Sequence, residues 1–199
     1  MSAILMAVVM LWNLFASYWN AKHVGSVWHE TKAVGGWAHV VTWSAAIQSA
    51  LGFTMIYAVV VVFIGSATGY LPASLLSLMA NLLWLAIIVP LIGSGLAIVL
   101  ESWIRYKREK SLLNLGVASV NTLIEAWNIY HAVTSFEGVW KNVKESINID
   151  EDFDVDSDLF KAIILVVFVL FGGIITTVFI AKKNMGTLPI PESVIEKTK

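Results

Sequence analysis

The chain has 199 residues, of which 58% are hydrophobic and 14% are charged, and its formal net charge is -1. Soluble domains carry about 25% charged residues, so this composition is typical of a chain that lies in lipid. The small net charge provides no basic field for nucleic acid, and the absence of cysteine excludes disulfides and thiolate chemistry. We therefore expect one all-α integral membrane domain, in contact with membrane lipid and with no nucleic acid partner.

Four apolar runs reach or approach the roughly 20 residues that a helix needs to cross a bilayer. Backbone polar groups in lipid must be satisfied within their own segment, so each run is predicted to be helical, even where four valines follow one another. The runs, which predict four clear transmembrane helices, lie at 3–19, 43–64, 74–100 and 160–181.

Two of these helices are predicted to extend beyond the lipid. The first apolar run continues as a helical stripe up to Gly35 and Gly36, a pair that suits a helix C-terminus. The third run continues into charged residues spaced four apart on one helix face. We predict helices over 3–34 and 74–110. The second of them should carry a kink, either a static bend or a gating hinge, at Pro90, Gly93 and Gly95.

The segment 112–134 has the length of a span but carries a polar stripe. Polar residues recur on one helical face at Asn114, Asn121, Glu125 and Asn128. The segment is either a fifth span with a buried polar stripe or an amphipathic helix outside the lipid. The remaining predicted elements are a helix over 112–146 that contains this segment, an acidic loop at 147–159, the helix at 160–181 and a flexible tail at 184–199.

The placement of lysine and arginine bears on this choice, because short cytoplasmic loops carry an excess of both. Basic residues after the third run predict a cytoplasmic end there, at Arg105, Lys107, Arg108 and Lys110. With a fifth crossing, Lys182 and Lys183 share that side and the acidic loop lies outside. The charge pattern therefore favours five crossings of a cytoplasmic-type membrane, inner or plasma, with the N-terminus outside.

Two segments of the chain share four residue types in the same register. Asparagine, tryptophan, asparagine and histidine recur at the same spacing, as Asn13, Trp19, Asn20 and His23 and as Asn121, Trp127, Asn128 and His131. No further similarity surrounds them, so shared helix-end chemistry is favoured over an ancient duplication.

No set of residues points to catalysis or to a bound ion. The histidines form no H-E-x-x-H pair, and no G-x-S-x-G elbow is present. The aspartates at 150–158 lack the glycine and the closing glutamate of an EF-hand loop. We predict a protein that is not an enzyme and that has no cofactor, no metal ligands and no catalytic residue.

Polar side chains within the predicted helices carry the functional hypothesis. They are costly against lipid, so they should face a neighbouring helix or a watery cavity. The candidate pore or helix-interface residues are Asn13, Asn20, Asn81, Asn114, Asn121, Glu125 and Asn128. Small residues predicted to allow close helix packing, within the bundle or between subunits, are Ala45, Ser49, Gly52, Gly172 and Gly173.

These features predict a self-associating, non-enzymatic membrane protein, a homo-oligomer that acts as a pore-forming or structural subunit of a larger assembly. Its cytoplasmic helix extensions would contact other protein subunits. The alternatives are a stand-alone small ion channel or transporter, and a membrane component of a secretion, conjugation or virus-encoded apparatus.

Overall fold

The structure is a computed structural model that describes residues 3–147 and 157–185. Within those ranges the chain forms helices and no strand, which confirms the all-helical prediction. The helices are α1 (Ala3–Val34), α2 (Gly36–Thr68), α3 (Ala73–Glu109), α4 (Leu112–Ile147) and α5 (Ser157–Lys183). Most of the predicted acidic loop and nearly all of the predicted C-terminal tail lie outside the described residues.

The helices end where the backbone turns, which is beyond the apolar runs. Gly35 separates α1 from α2, and both Gly35 (φ 66°) and Gly36 (φ 58°) have positive φ angles that residues with a side chain rarely adopt. The α2 helix starts at this turn, well before the predicted apolar run at 43–64, and ends at Thr68, just before Gly69, which is left-handed. Hydropathy locates the apolar middle of a helix, whereas the turns set its ends.

The α3 helix continues through its proline without a break. Pro90 lacks an N–H, so it removes one hydrogen bond from the helix ladder. Nearby, the Ser94 hydroxyl donates to the Pro90 carbonyl (2.5 Å), and the Gln48 amide of α2 donates to the Leu91 carbonyl (3.0 Å) and to the Ser94 hydroxyl (2.8 Å). The hinge role of Pro90, Gly93 and Gly95 stays a prediction.

The α2 helix is central and contacts α1, α3 and α5. The α5 helix covers one side of the bundle and contacts α1, α2 and α3, whereas α4 packs extensively on α3 alone. The main hydrophobic core lies between α2, α3 and α5. It includes Leu51, Leu75, Met79, Leu83, Ala162, Val166 and Val169.

Three helices of the described part are long and apolar enough to cross a membrane. They are α2, α3 and the stretch Asp158–Lys183 of α5, and they contain three of the four predicted clear spans. The span predicted at 3–19 and the polar-striped segment at 112–134 stay predictions. With 37 residues, α3 is about 55 Å long, which exceeds the roughly 30 Å of a hydrocarbon core.

The small residues of α2 lie in its contacts with α1 and α5. Ser49 is fully buried, and its hydroxyl donates to the Ser17 carbonyl of α1 (2.8 Å) and contacts the Thr177 hydroxyl of α5 (3.0 Å). Ala45 packs in a small cluster that contains Ala181. A β-carbon at Gly52 would collide with the Ser17 side chain.

The two glycines of α5 also allow close packing of helices, here between α5 and α2. A β-carbon at Gly173 would collide with the Ala50 backbone of α2, and Gly172 lies against the Tyr57 ring. The predicted close-packing residues therefore join helices within one chain, and they lend no support to an interface between subunits.

Candidate functional site

The helices α1 and α4 form opposite walls of an open cleft, here called the α1/α4 cleft, whose floor is built by α2 and α3. Residues from all four helices line two cavities along it. The middle cavity has a volume of about 300 Å³, and its polar lining is Asn13, Gln48, Asn128 and His131. The loop-side cavity, nearer the α1–α2 and α3–α4 turns, has a volume of about 340 Å³. Its polar lining includes Asn20, His23, Glu101, Arg105, Asn114 and Asn121.

The cleft brings together most of the polar residues predicted from the sequence. Five of the seven candidates line its cavities, namely Asn13, Asn20, Asn114, Asn121 and Asn128. They do so because residues seven apart lie on one helix face, which on both α1 and α4 faces the cleft. Glu125 lies behind this lining, between α4 and α3, and Asn81 lines neither cavity.

Sequence reasoning missed several residues of the site. Gln48 is the only glutamine of the chain and lies in an apolar run, a signal that would have marked it. His23 and His131 appeared only as part of the shared register, although each lines a cavity. Glu101 and Arg105 were assigned to a helix extension, and they also line the loop-side cavity.

The two segments that share a register lie across the cleft from each other and run in opposite directions. Asn13 of α1 lines the same cavity as Asn128 and His131 of α4, while Asn20 lines the same cavity as Asn121. The Trp127 and His131 rings are in edge contact, with centroids 4.3 Å apart. The shared residues therefore give both walls of the cleft a similar polar surface.

Hydrogen bonds fix several of the polar side chains. The Asn13 amide donates to the Gly52 carbonyl of the floor (3.2 Å). On the other wall, the Asn114 amide donates to the Glu109 carboxylate (2.7 Å), and the Asn128 amide donates to Glu125 (3.3 Å). Each of these amides also has a carbonyl oxygen that can accept a hydrogen bond from a ligand or from another chain.

The loop-side cavity contains the charges of the cleft. Glu101 accepts a hydrogen bond from the Trp37 indole (2.7 Å) and lies 3.9 Å from the Arg105 guanidinium. The His23 side chain is exposed to the cleft. Its withdrawal from bulk water, with a smaller contribution from the charge of Arg105, nevertheless lowers its pKa from the ordinary value. A neutral imidazole at pH 7 both donates and accepts hydrogen bonds.

Glu125 is the most enclosed ionisable group of the cleft region. Its side chain is 4% exposed, and its Oε1 atom has no hydrogen-bond partner among the described residues. The carboxylate lies directly on Gly95 of α3, where a β-carbon would collide with it. The missing side chain of Gly95 therefore leaves the space between α3 and α4 that the Glu125 carboxyl group occupies.

The cleft offers hydrogen-bond donors and acceptors from all four of its helices. No group of three histidine or acidic side chains that could hold a metal ion is found in the described ranges. The arrangement suits the binding of a polar solute, a file of water molecules or the polar face of another helix. Comparison of the chain with protein-family models, with curated proteins and with solved structures finds no match.

Proposed function

We propose that the protein is a multi-pass integral membrane protein that acts, without catalysing a reaction, as a membrane subunit of a larger assembly. A second copy of the chain would cover the α1/α4 cleft. The observation that carries this proposal is the set of five asparagines that line an open cleft. Polar groups facing lipid are costly, so a cleft of this kind needs water or protein to cover it.

The proposed topology has five crossings, with the N-terminus outside. It is supported by the course of α4, which packs along the length of α3. Near one end of α3, the Trp103 indole donates a hydrogen bond to Thr122 of α4. Further along, the ring of Trp84 on α3 lies 6.4 Å from the ring of Phe136 on α4. It is also supported by the charges, because α5 ends beside α1, where Ala181 meets Gly25. Basic residues then share one end of the bundle, at Lys32, Arg105, Lys107, Arg108, Lys110, Lys182 and Lys183.

A second copy of the chain suits the cleft because its lining is self-complementary. Each asparagine amide both donates and accepts, so two such stripes can pair with each other. The small-residue contacts of α2 and α5 are already used within the chain. Self-association would therefore run through the cleft walls, and the paired clefts would form either a sealed contact or a water-filled pore.

Thiol cross-linking tests this proposal directly, because the chain has no cysteine of its own. Val117 on the rim of the loop-side cavity and Val178 on α5 are both 46% exposed, so V117C and V178C are matched variants. We expect a short bifunctional maleimide to give dimers with V117C in membranes and little dimer with V178C. Equal yields from both variants, or the mass of a single chain in mild detergent, would contradict the proposal.

A stand-alone channel or transporter is a second candidate, favoured by the buried Glu125 carboxylate between the two cavities. It predicts that the purified protein conducts ions or protons in liposomes without any partner. Flux that persists when the protein is diluted to one copy per vesicle would favour it over an assembly.

A further inference from the structure

We propose that Glu125 is a proton-binding site that exchanges its proton with the α1/α4 cleft. The inference rests on the membrane setting proposed above, although it does not require self-association. It assigns the residue a chemical state, a neutral carboxylic acid, and a ligand, the proton. One oxygen of the group has no hydrogen-bond partner among the described residues, so no donor there stabilises a negative charge on it.

The side chain of Glu125 is enclosed between α4 and α3. At 4% exposure, Glu125 is removed from the water that would stabilise a negative charge. Its one described hydrogen bond is from the Asn128 amide to Oε2, and it is long at 3.3 Å. Contact with Gly95 brings no positive charge. A carboxylate so placed is costly, and binding a proton removes that cost.

The helices that surround Glu125 place no positive charge close to its carboxyl group. The nearest cation along α3 is Arg105, about 15 Å from Gly95 along the helix axis, and it lies beside Glu101. Along α4, the titratable residues that follow Glu125 are Tyr130, His131 and, further on, Glu137. Across the cleft, α1 presents His23, and the nearby polar residue of α2 is the neutral Gln48.

The surroundings of Glu125 suit a proton better than a metal ion. Hard metal ions take six or more oxygen ligands, and no group of acidic and histidine residues in the described ranges could hold a metal ion. The Asn128 amide turns its N–H towards the Glu125 carboxyl group rather than its carbonyl oxygen, the atom that a metal ion would bind. A single carboxyl group with one donor neighbour is sufficient for a proton.

The position of Glu125 gives the bound proton two routes to the cleft. Asn121 lies one helical turn before it and lines the loop-side cavity, and Asn128 lies one turn after it and lines the middle cavity. Glu125 therefore lies between the two cavities. A proton released towards either asparagine would enter a different cavity, so the residue is placed to pass protons between them.

An apolar carbodiimide tests the protonated state, because the O–H of a neutral carboxylic acid adds across a C=N bond of the reagent. The carboxyl oxygen bonds to the central carbon and the proton moves to a nitrogen, and the O-acylisourea formed rearranges to a stable N-acylurea. The protein would be labelled in liposomes at neutral pH, and the modified residue identified by mass spectrometry. We expect label at position 125 and an at least tenfold loss of total label in E125Q. The variant E137Q is the matched control, because Glu137 is an exposed carboxylate on the same helix, and it should label like the unaltered protein.

Two results would overturn the proposal. One is a combined negative result. Glu125 would remain unlabelled over the pH range in which Glu137 becomes reactive, and the infrared spectrum would show no protonated-carboxyl band that is lost in E125Q. The other is protection of Glu125 by sodium but not by choline at constant pH, which would assign the site to a metal ion. These readouts report on one carboxyl group, so they are independent of the cross-linking result.

Discussion

The two walls of the cleft carry similar residues but are held in different ways. The α1 wall packs on α2 and α5, whereas the α4 wall packs extensively on α3 alone. In each wall a polar side chain contacts a glycine of the floor: Asn13 of α1 lies against Gly52, and Glu125 of α4 lies against Gly95. The Asn13 amide donates to the Gly52 carbonyl, while one oxygen of Glu125 has no described partner.

The two walls differ in whether a glycine contact is made with backbone or with a side chain. On the α1 side, Gly25 lies against the backbone of Ala181, which cannot move without moving α5. On the α4 side, Gly95 lies against the end of a flexible glutamate side chain. Similar polar stripes therefore belong to a fixed wall on one side and to an adaptable wall on the other. Changes to the α1 wall should cost more stability than equivalent changes to the α4 wall.

The largest effect is expected for G25A. Its methyl group would collide with the Ala181 backbone and force α1 away from α5. We expect a loss of about 2 to 3 kcal/mol of stability, measured as a lowered melting temperature in mild detergent. The matched control is G116A on α4, where nothing lies within 4 Å of the added carbon. It should be neutral or slightly stabilising, and an equal loss in both variants would refute the idea of a fixed α1 wall.

A smaller effect is expected for G95A. The new methyl group meets the Glu125 carboxylate, which can turn away, so the cost should be about 1 kcal/mol, partly offset by the higher helix propensity of alanine. In the E125A background that cost should disappear, because the colliding group is gone. A double-mutant cycle in detergent measures this coupling, and a cost that is unchanged in E125A would show that another group opposes the methyl.

The smallest effect is expected for W103F, which removes the hydrogen bond from the Trp103 indole to the Thr122 hydroxyl between α3 and α4 (2.9 Å). Because the Trp103 side chain is exposed and the Thr122 side chain is only partly buried, we expect a loss of about 0.5 kcal/mol. The variant T122V removes the same hydrogen bond. The double variant W103F/T122V should therefore be about as stable as the less stable of the two single variants. Fully additive losses would show that the two residues do not act together.

The sequence was sufficient to predict the helices and one wall of the site. The apolar runs at 43–64, 74–100 and 160–181 all lie within helices, because apolar segments of that length are stable only when their backbone groups are paired internally. The stripe of Asn114, Asn121 and Asn128 follows from the helical period alone. The glycine pair also predicted the end of α1 at residue 34, whereas the start of α2 at Gly36 was not predicted, since hydropathy does not report where a helix turns back.

The partners of the stripe could not be predicted from periodicity. Which helices face each other depends on packing between distant segments, so the meeting of α1 and α4 across one cleft was not evident. Gln48 was overlooked because a lone polar residue has no period. Glu125 was singled out, but its contact with Gly95 was not, because a glycine in an apolar run also suits a hinge or a close helix crossing.

The turn at Gly35 bears on how the chain is made. It is the only residue between helices of 32 and 33 residues. Because no longer segment connects α1 and α2, the two helices cannot move far apart from each other. In the proposed membrane setting, a ribosome would deliver both to the bilayer as one helical hairpin. Asn13 of α1 would then enter with its amide already bonded to the Gly52 carbonyl of α2, and insertion would begin with a pair of helices rather than with a single one.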